Sequence, residues 1–408
     1  MYRILKDRMG AWKEPMTEFA KRLVATSSES LAETRAADLV EAEMKRLGYD
    51  EVIRDEAGNV VGILFGREAG PTLLLASHLD TVIARREDGW TRDPLEARVE
   101  DGRLFGLGAA DCKAGLAAQV YAAATLKASL LPLAGNLVVA ATVAEENGRS
   151  LGVRELVTRT LAQHELQPTW AILGEPTNLG LYYGHDGWFE VEIVVKGANP
   201  FHVDDAANAI HGDLLAARRM RAVGGIETHQ IHRPVFETDH NVRQATIRME
   251  RRLSPTEEVG EVMRHIEREA ALVTETAGEV AVEVMVRQAP QTLYTGQTTM
   301  VRHVTNAWAI DPFDPLLTRA RQALAAAGCE ARPGKFQLGR LGMGTAGGTL
   351  VGEFKVPTLC YGPGEETLAH AANESVAVES IVTACYGTAA IAHGLVGVPV
   401  CGWSSDEI

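Results

Sequence analysis

Four short apolar runs in this chain each lead into a histidine or an acid, and this arrangement constrains the fold more than any other feature. Thr72–Ala76 (TLLLA), bounded by Pro71 and Ser77, runs into Ser77-His78-Leu79-Asp80. Asn136–Val143 (NLVVAATV) runs into Ala144-Glu145-Glu146. Trp170–Leu173 runs into Gly174-Glu175-Pro176, and Thr358–Tyr361 into the segment that holds His370. Continuous apolar runs of this length predict strands buried on both faces. Between the first two runs, Ala- and Leu-rich Lys113–Leu130 predicts a helix. Strand, helix and strand at this spacing predict βαβ units around a mostly parallel sheet, an α/β fold.

The pattern changes after about Gly184. Trp188–Lys196, Gln244–Leu253 and Glu279–Val286 alternate apolar with polar residues, as half-exposed strands do. Asp204–Val223 and Pro255–Leu272 predict helices, the second with Pro255 near its first turn. This is a small α+β unit with one solvated sheet face. The buried pattern returns from about Pro315, with a helix near Leu316–Ala327. The expected organisation is one discontinuous domain, residues 1–186 and 294–408, interrupted by an insertion at 187–293. A length of 408 residues allows two or three domains at about 150 residues each.

Charge and cysteine usage narrow the partners. The net charge of −14, with no basic run, lacks the footprint of a nucleic-acid binder. Five cysteines, Cys112, Cys329, Cys360, Cys385 and Cys401, form no CxxC and fit a reducing compartment rather than a disulfide scaffold. The first residues never sustain an apolar signal-peptide core, so a cytoplasmic location is expected. Ile381–Trp403 lacks Asp, Glu, Lys and Arg, but glycines, Pro399 and polar residues interrupt it. It reads as a buried C-terminal helix followed by a loop, not a membrane span.

Each polar residue at a run end has a plain structural reading when taken alone. His78 with Asp80 could be a surface pair. Asp111, in Gly106-Leu107-Gly108-Ala109-Ala110-Asp111, could be a helix N-cap. Cys112 reads as a small buried residue rather than a soft ligand. Glu145 and Glu146 could be a solvated turn, Glu175 a turn residue and His370 a loop histidine. The combination says more. In a parallel sheet these strand ends share one edge, where ligands bind. Adjacent carboxylates buried there need solvent or a cation. Asp80, two residues beyond His78 on the same strand face, could accept the other imidazole N–H and fix its tautomer. Mixed nitrogen and oxygen donors suit Zn, Mn or Co, with Zn the commonest for hydrolysis. Two ions sharing a carboxylate would acidify a water between them.

In order along the chain, SHLDTV (Ser77–Val82), GLGAADCKAG (Gly106–Gly115), EEN (Glu145–Asn147), GEPT (Gly174–Thr177) and YGPGEETLAHAANE (Tyr361–Glu374) resemble the M20 family of metallopeptidases. That family includes carboxypeptidase G, acetylornithine deacetylase and succinyl-diaminopimelate desuccinylase; the nearest branch is a poorly characterised group of hydrolases. The resemblance implies a catalytic metal-binding domain and an inserted dimerisation or lid domain. It implies two divalent ions, with His78 and Glu175 on one, Glu146 and His370 on the other, and Asp111 bridging both. Asp80 would orient His78. Glu145 would take a proton from the bridging water and return it to the leaving amine. His202, in Gly197-Ala198-Asn199-Pro200-Phe201-His202, would reach the active site of the partner in a homodimer and polarise the scissile carbonyl.

Three positions depart from the family pattern, all near where members hold substrate. Val203-Asp204-Asp205 replace the usual small or hydroxyl residues, Ala346 stands in a segment that often carries Asp, and Asp186 takes the place of a frequent Arg. Arg251 or Arg252 could hold a substrate carboxylate through paired bonds, with Asn241 contributing; exposed strand arginines are the alternative. The expected activity is hydrolysis of an amide C–N bond in a small N-acyl amino acid or dipeptide. A second reading keeps the metals and changes the bond, to an aryl amine such as 5-nitroanthranilate or an N-formyl compound. A third, a non-catalytic binding protein, is disfavoured because no ligand of the set is missing, nor is Glu145.

Overall fold

The computed structural model describes residues 2–146, 149–220, 229–239, 242–274, 278–329 and 339–398. The chain forms two compact units. One comprises Met1–Gly184, Gln291–Thr299 and Ala309–Ile408; the other comprises His185–Pro290 and Met300–Trp308.

The first unit is built on a six-stranded sheet in the order Glu51–Arg54, Val60–Leu64, Asn136–Thr142, Thr72–His78, Trp170–Leu173, Thr358–Cys360. The last four are parallel, and they are the four runs that lead into histidine or glutamate. All seven residues of Thr72–His78 are buried, as a strand flanked on both sides and covered on both faces must be. In register, His78 pairs with Thr142 and Ala76 with Leu173, so the three chains leave the sheet along one edge. Glu51–Arg54 and Val60–Leu64 add antiparallel strands; the first is half-buried and leaves no apolar trace, while the second (VVGIL) is a further buried apolar run that the sequence reading passed over. Helices Tyr2–Val24, Ala114–Ala128 and Val378–Val396 pack on one another. The last, which opens with Glu379 in its first turn, contains the charge-free C-terminal stretch from Ile381 onward and is mostly buried; the expected continuation of that stretch through residues 399–403 lies outside the described residues. Among the described residues, no helix is long and apolar enough to cross a membrane.

The second unit is an antiparallel sheet around Gly187–Gly197, which pairs with Val242–Leu253 (Ile193 opposite Ile247) and Ala281–Val286 (Ile193 opposite Val284). Val304–Thr305 also pairs with it, Val304 opposite Phe189, which draws residues 300–308 into this unit. Phe189, Val191, Ile193 and Val195 bury one sheet face against Val203 and Ile210 of helix Pro200–Met220 and Ile266 of helix Val259–Thr274. Both helices start elsewhere than the periodicity suggests. The first begins at Pro200 because the Asn199 side chain accepts the Phe201 N–H at 3.0 Å; its expected end at Val223 falls outside the described residues. The second begins at Val259, not Pro255, because Glu257 folds back to accept the Ser254 N–H at 3.0 Å and ties up a turn.

Candidate metal centre

The expected helix at Lys113 begins one residue later, at Ala114. Before it, Asp111 has extended dihedrals (φ −126°, ψ 99°) and a cis peptide to Cys112. Lys113, not Asp111, holds the N-cap position of that helix, without a side-chain cap bond. The helix start is pressed against the end of Trp170–Leu173, since a Cβ on Gly115 would strike the Gly174 carbonyl oxygen. That close approach brings Asp111 and Glu175 together.

The Asp111 carboxylate reaches both histidines. Its Oδ1 lies 3.2 Å from His78 Nε2 and its Oδ2 lies 3.3 Å from His370 Nε2. His370, with a left-handed φ of +57°, places Nε2 2.8 Å from Glu146 Oε1. Two groups of potential donors result, His78, Asp111, Cys112 and Glu175 in one and Asp111, Glu146 and His370 in the other, with the atoms of each within 4.8 Å of one another. Asp111 is common to both. Cys112 Sγ is also engaged by the His78 backbone, whose N–H donates to it at 3.2 Å. Asp111 and Glu175 are buried, whereas the His370 side chain is 43% exposed and leaves the second group open to solvent.

Burial, reinforced by the charges of Asp111, Glu145 and Glu146, pushes the Glu175 carboxyl well above its ordinary range. Burial raises Glu146 as well. Against the opposing effect of burial, hydrogen bonds from His370 and His78 hold Asp111 far below the ordinary value. Several carboxylates crowded in one buried place repel one another; divalent cations between them would remove that cost. The donor set of imidazoles and carboxylates therefore suits hard to borderline divalent metals.

Glu145 stands beside the donors. Its Oε1 accepts the Ser150 hydroxyl at 2.9 Å, while Oε2 is buried and has no hydrogen-bond partner among the described residues. Burial, and then the Asp80 charge, push it up to about 7, against the pull of His78. A carboxylate poised near neutrality matches the requirement for a general base. Glu145, His78 and Glu175 line a narrow cleft together with Ala346.

Asp80 departs from its expected contact. His78 Nδ1 donates to the backbone carbonyl of Asp80 at 2.8 Å, while the nearest carboxylate oxygen is 3.7 Å away. The carboxylate instead accepts the N–H groups of Glu145 (3.2 Å) and Glu146 (2.9 Å) and the Ser30 hydroxyl. Those N–H groups follow Ala144, whose φ of +55° breaks the strand and leaves them without a sheet partner. Sequence reasoning overlooked Glu33, a buried residue whose Oε1 accepts the Ala144 N–H at 2.9 Å. No local pattern marks it; only the 111-residue contact does.

The remaining candidates belong to the second unit. His202 lies in the first turn of helix Pro200–Met220, packed so closely on Gly278 (φ +85°) that a Cβ there would meet its ring at 2.6 Å. Arg251 is buried and its Nη2 donates to Glu257 at 2.6 Å, so that nitrogen is already engaged; Arg252 is exposed. Asn241 lies outside the described residues.

Comparison with known proteins matches residues 74–393 to peptidase family M20/M25/M40. A succinyl-diaminopimelate desuccinylase of Gluconacetobacter diazotrophicus is 33% identical over 219 residues, 50% of this chain and 56% of that protein. With the first curated relatives, the match spans only about half of their length. An N-formyl-4-amino-5-aminomethyl-2-methylpyrimidine deformylase of Halalkalibacterium halodurans is 26% identical over 412 residues, 91% of this chain and 92% of that protein. Among solved structures, the Bacillus subtilis YXEP protein, described as a dinuclear metal-binding peptidase, shares the fold with a TM-score of 0.66 at 16% identity, covering 94% of this chain and 98% of that one. The strand-end donors, their order along the chain and the breadth of the match agree: the chain belongs to peptidase family M20/M25/M40.

Proposed function

We propose that this chain is a metal-dependent hydrolase that cleaves the amide C–N bond of a small N-acyl amino acid or dipeptide-like substrate. The observation that carries the reading is the pair of donor groups sharing Asp111, with Glu145 in one cleft with His78 and Glu175 of the first group. His78 and Glu175 would hold one ion and Glu146 and His370 the other, with Asp111 on both. Two Zn ions suit this mixed set, and Mn or Co would also fit. When bound, such ions supply Lewis acidity that acidifies water and polarises a carbonyl.

The chain's own groups complete the reaction. Glu145 Oε2 takes the proton of the attacking water and later returns it to the leaving nitrogen, so the residue ends as it began. Asp80 holds the backbone of Glu145 and Glu146 in place. In a homodimer, His202 of one protomer would polarise the carbonyl in the other. The unit containing His202, His185–Pro290 with Met300–Trp308, would then be the dimerisation or lid domain in place of the expected 187–293, and the other unit the catalytic domain. Arg252, exposed on Val242–Leu253, is the candidate for a substrate carboxylate, with Arg251 next to it in sequence; Asn241, eleven residues before Arg252, would contribute separately. Four cysteines, Cys112, Cys329, Cys360 and Cys385, are free and buried, which supports a reducing, cytoplasmic setting.

One observation favours a second substrate class. Ala346 puts a methyl group in the cleft where many family members have a carboxylate, and the relative aligned along nine-tenths of this chain is a deformylase. N-formyl compounds, and aryl amines such as 5-nitroanthranilate, therefore belong in the test. Metal-loaded protein is assayed against N-acyl amino acids, dipeptides, N-formyl compounds and aryl amines, alongside Glu145→Ala. Retained metal with turnover lost is the expected result; full activity of Glu145→Ala on the substrate found would overturn the mechanism.

A further inference from the structure

Outside the donor set, one buried carboxylate touches the loop that carries Asp111. Glu374 lies four residues after His370 and is 1% exposed. Its Oε2 accepts the Gly108 N–H at 2.9 Å, and its Oε1 accepts those of Ala110 at 2.6 Å and Asp111 at 2.9 Å. Its own carbonyl accepts the Gly106 N–H at 3.0 Å. Residue 374 thus grips the Gly106–Asp111 loop at four points.

That loop needs a grip. Gly106 and Gly108 have φ of +145° and +80°, so the chain forms neither helix nor strand there. Its N–H groups consequently require partners from elsewhere. A carboxylate that accepts several backbone N–H groups makes charge-assisted bonds, roughly twice as strong as neutral ones. On its other side, Glu374 leads directly into the strand Ser375–Ala377, which pairs with Arg103–Phe105 (Ser375 opposite Phe105). The His370 loop and the Asp111 loop are therefore fastened together through one side chain, and His370 and Asp111 both belong to the second donor group.

We propose that Glu374 is a positioning residue: it fixes Asp111 relative to His370 and so sets the metal affinity of the centre without contacting ion or substrate. This rests on the metal-hydrolase reading above. Outer partners of this kind change metal affinity by about 10- to 100-fold when removed. In Glu374→Gln the amide oxygen can still accept from Ala110 and Asp111, but the NH2 group would face the Gly108 N–H, donor against donor.

The test is Zn2+ titration of the full-length chain, stripped with a chelator, against a competing chromophoric chelator. Wild type, Glu374→Gln, Glu374→Asp and Glu43→Gln are compared. Glu43 is a buried carboxylate that accepts from Tyr121 and Arg46, and its substitution reports destabilisation alone. The expected result is a 10- to 100-fold loss of affinity for at least one ion in Glu374→Gln, with an unchanged circular dichroism spectrum. Glu374→Asp, which keeps both oxygens, should recover part of that loss, and Glu43→Gln should lower Tm while leaving affinity unchanged. If Glu374→Gln does not fold, an affinity of Glu374→Asp equal to wild type overturns the proposal, and a reduced one supports it. Wild-type affinity in Glu374→Gln, or an equal loss in Glu43→Gln, overturns it while leaving the metal-hydrolase reading intact. A wild-type chain that takes up no ion overturns both.

Discussion

The Asp80 carboxylate accepts the backbone N–H of Glu146 at 2.9 Å, while His78 Nδ1 donates to the Asp80 carbonyl oxygen at 2.8 Å. One residue thus orients the histidine with its main chain and the glutamate pair with its side chain. Substitution separates the two roles. Asp80→Asn should leave His78 held and its ion bound, but its NH2 group would oppose a backbone N–H of Glu145 or Glu146. Turnover should fall about 10- to 100-fold with metal content at the first site kept. Metal analysis paired with kcat and KM checks this; loss of metal in proportion to activity would contradict it.

Asp111 is the one residue common to both donor groups. Asp111→Ala should therefore abolish uptake of both ions, whereas Glu175→Gln and His370→Ala should each weaken one. Metal-to-protein ratios after dialysis against limiting Zn2+ distinguish the cases. A full single equivalent retained by Asp111→Ala would argue against a shared ligand.

The Gly115–Gly174 contact leaves no room for a methyl group. Gly115→Ala should cost about 1–3 kcal/mol, the usual penalty for overpacking a tight site, despite the better helix propensity of alanine. It should also disturb metal binding, because the helix start and Glu175 meet there. Urea denaturation of the metal-free protein measures the first effect. A stabilised variant would show that the contact relaxes easily.

Burial lowers the pKa of His393, in the C-terminal helix, from 6.5 to about 4, and its Nε2 has no hydrogen-bond partner among the described residues. Between those values the unfolded chain binds more protons than the folded one, so stability rises with pH and is lost as pH falls from 6.5 towards 4. The loss should reach on the order of 2–3 kcal/mol. His393→Asn should flatten that part of the stability–pH curve. Denaturation midpoints measured across that range test it, and an identical slope in the variant would refute it.

Much of the fold was legible because burial leaves a local trace. Thr72–His78, Asn136–Thr142, Trp170–Leu173 and Thr358–Cys360 are apolar throughout or nearly so because each is covered on both faces, and each announces the polar residue that follows. Glu51–Arg54 is half-buried along its length and leaves no such trace. The starts of helices Pro200–Met220 and Val259–Thr274 were displaced by Asn199 and Glu257, whose side chains capture single backbone N–H groups that periodicity does not register.

The chemistry divides in the same way. The residue types, their order and their attachment to strand ends are properties of the sequence, because an apolar strand fixes where the next polar side chain emerges. Which atoms meet is decided only in three dimensions. Asp111 joins two histidines 33 and 259 residues away, Asp80 turns its carboxylate to the glutamates, and Glu374 clasps a loop more than 260 residues upstream. Loop backbones that form neither helix nor strand must find hydrogen-bond partners wherever the folded chain brings them, and no local pattern records that choice.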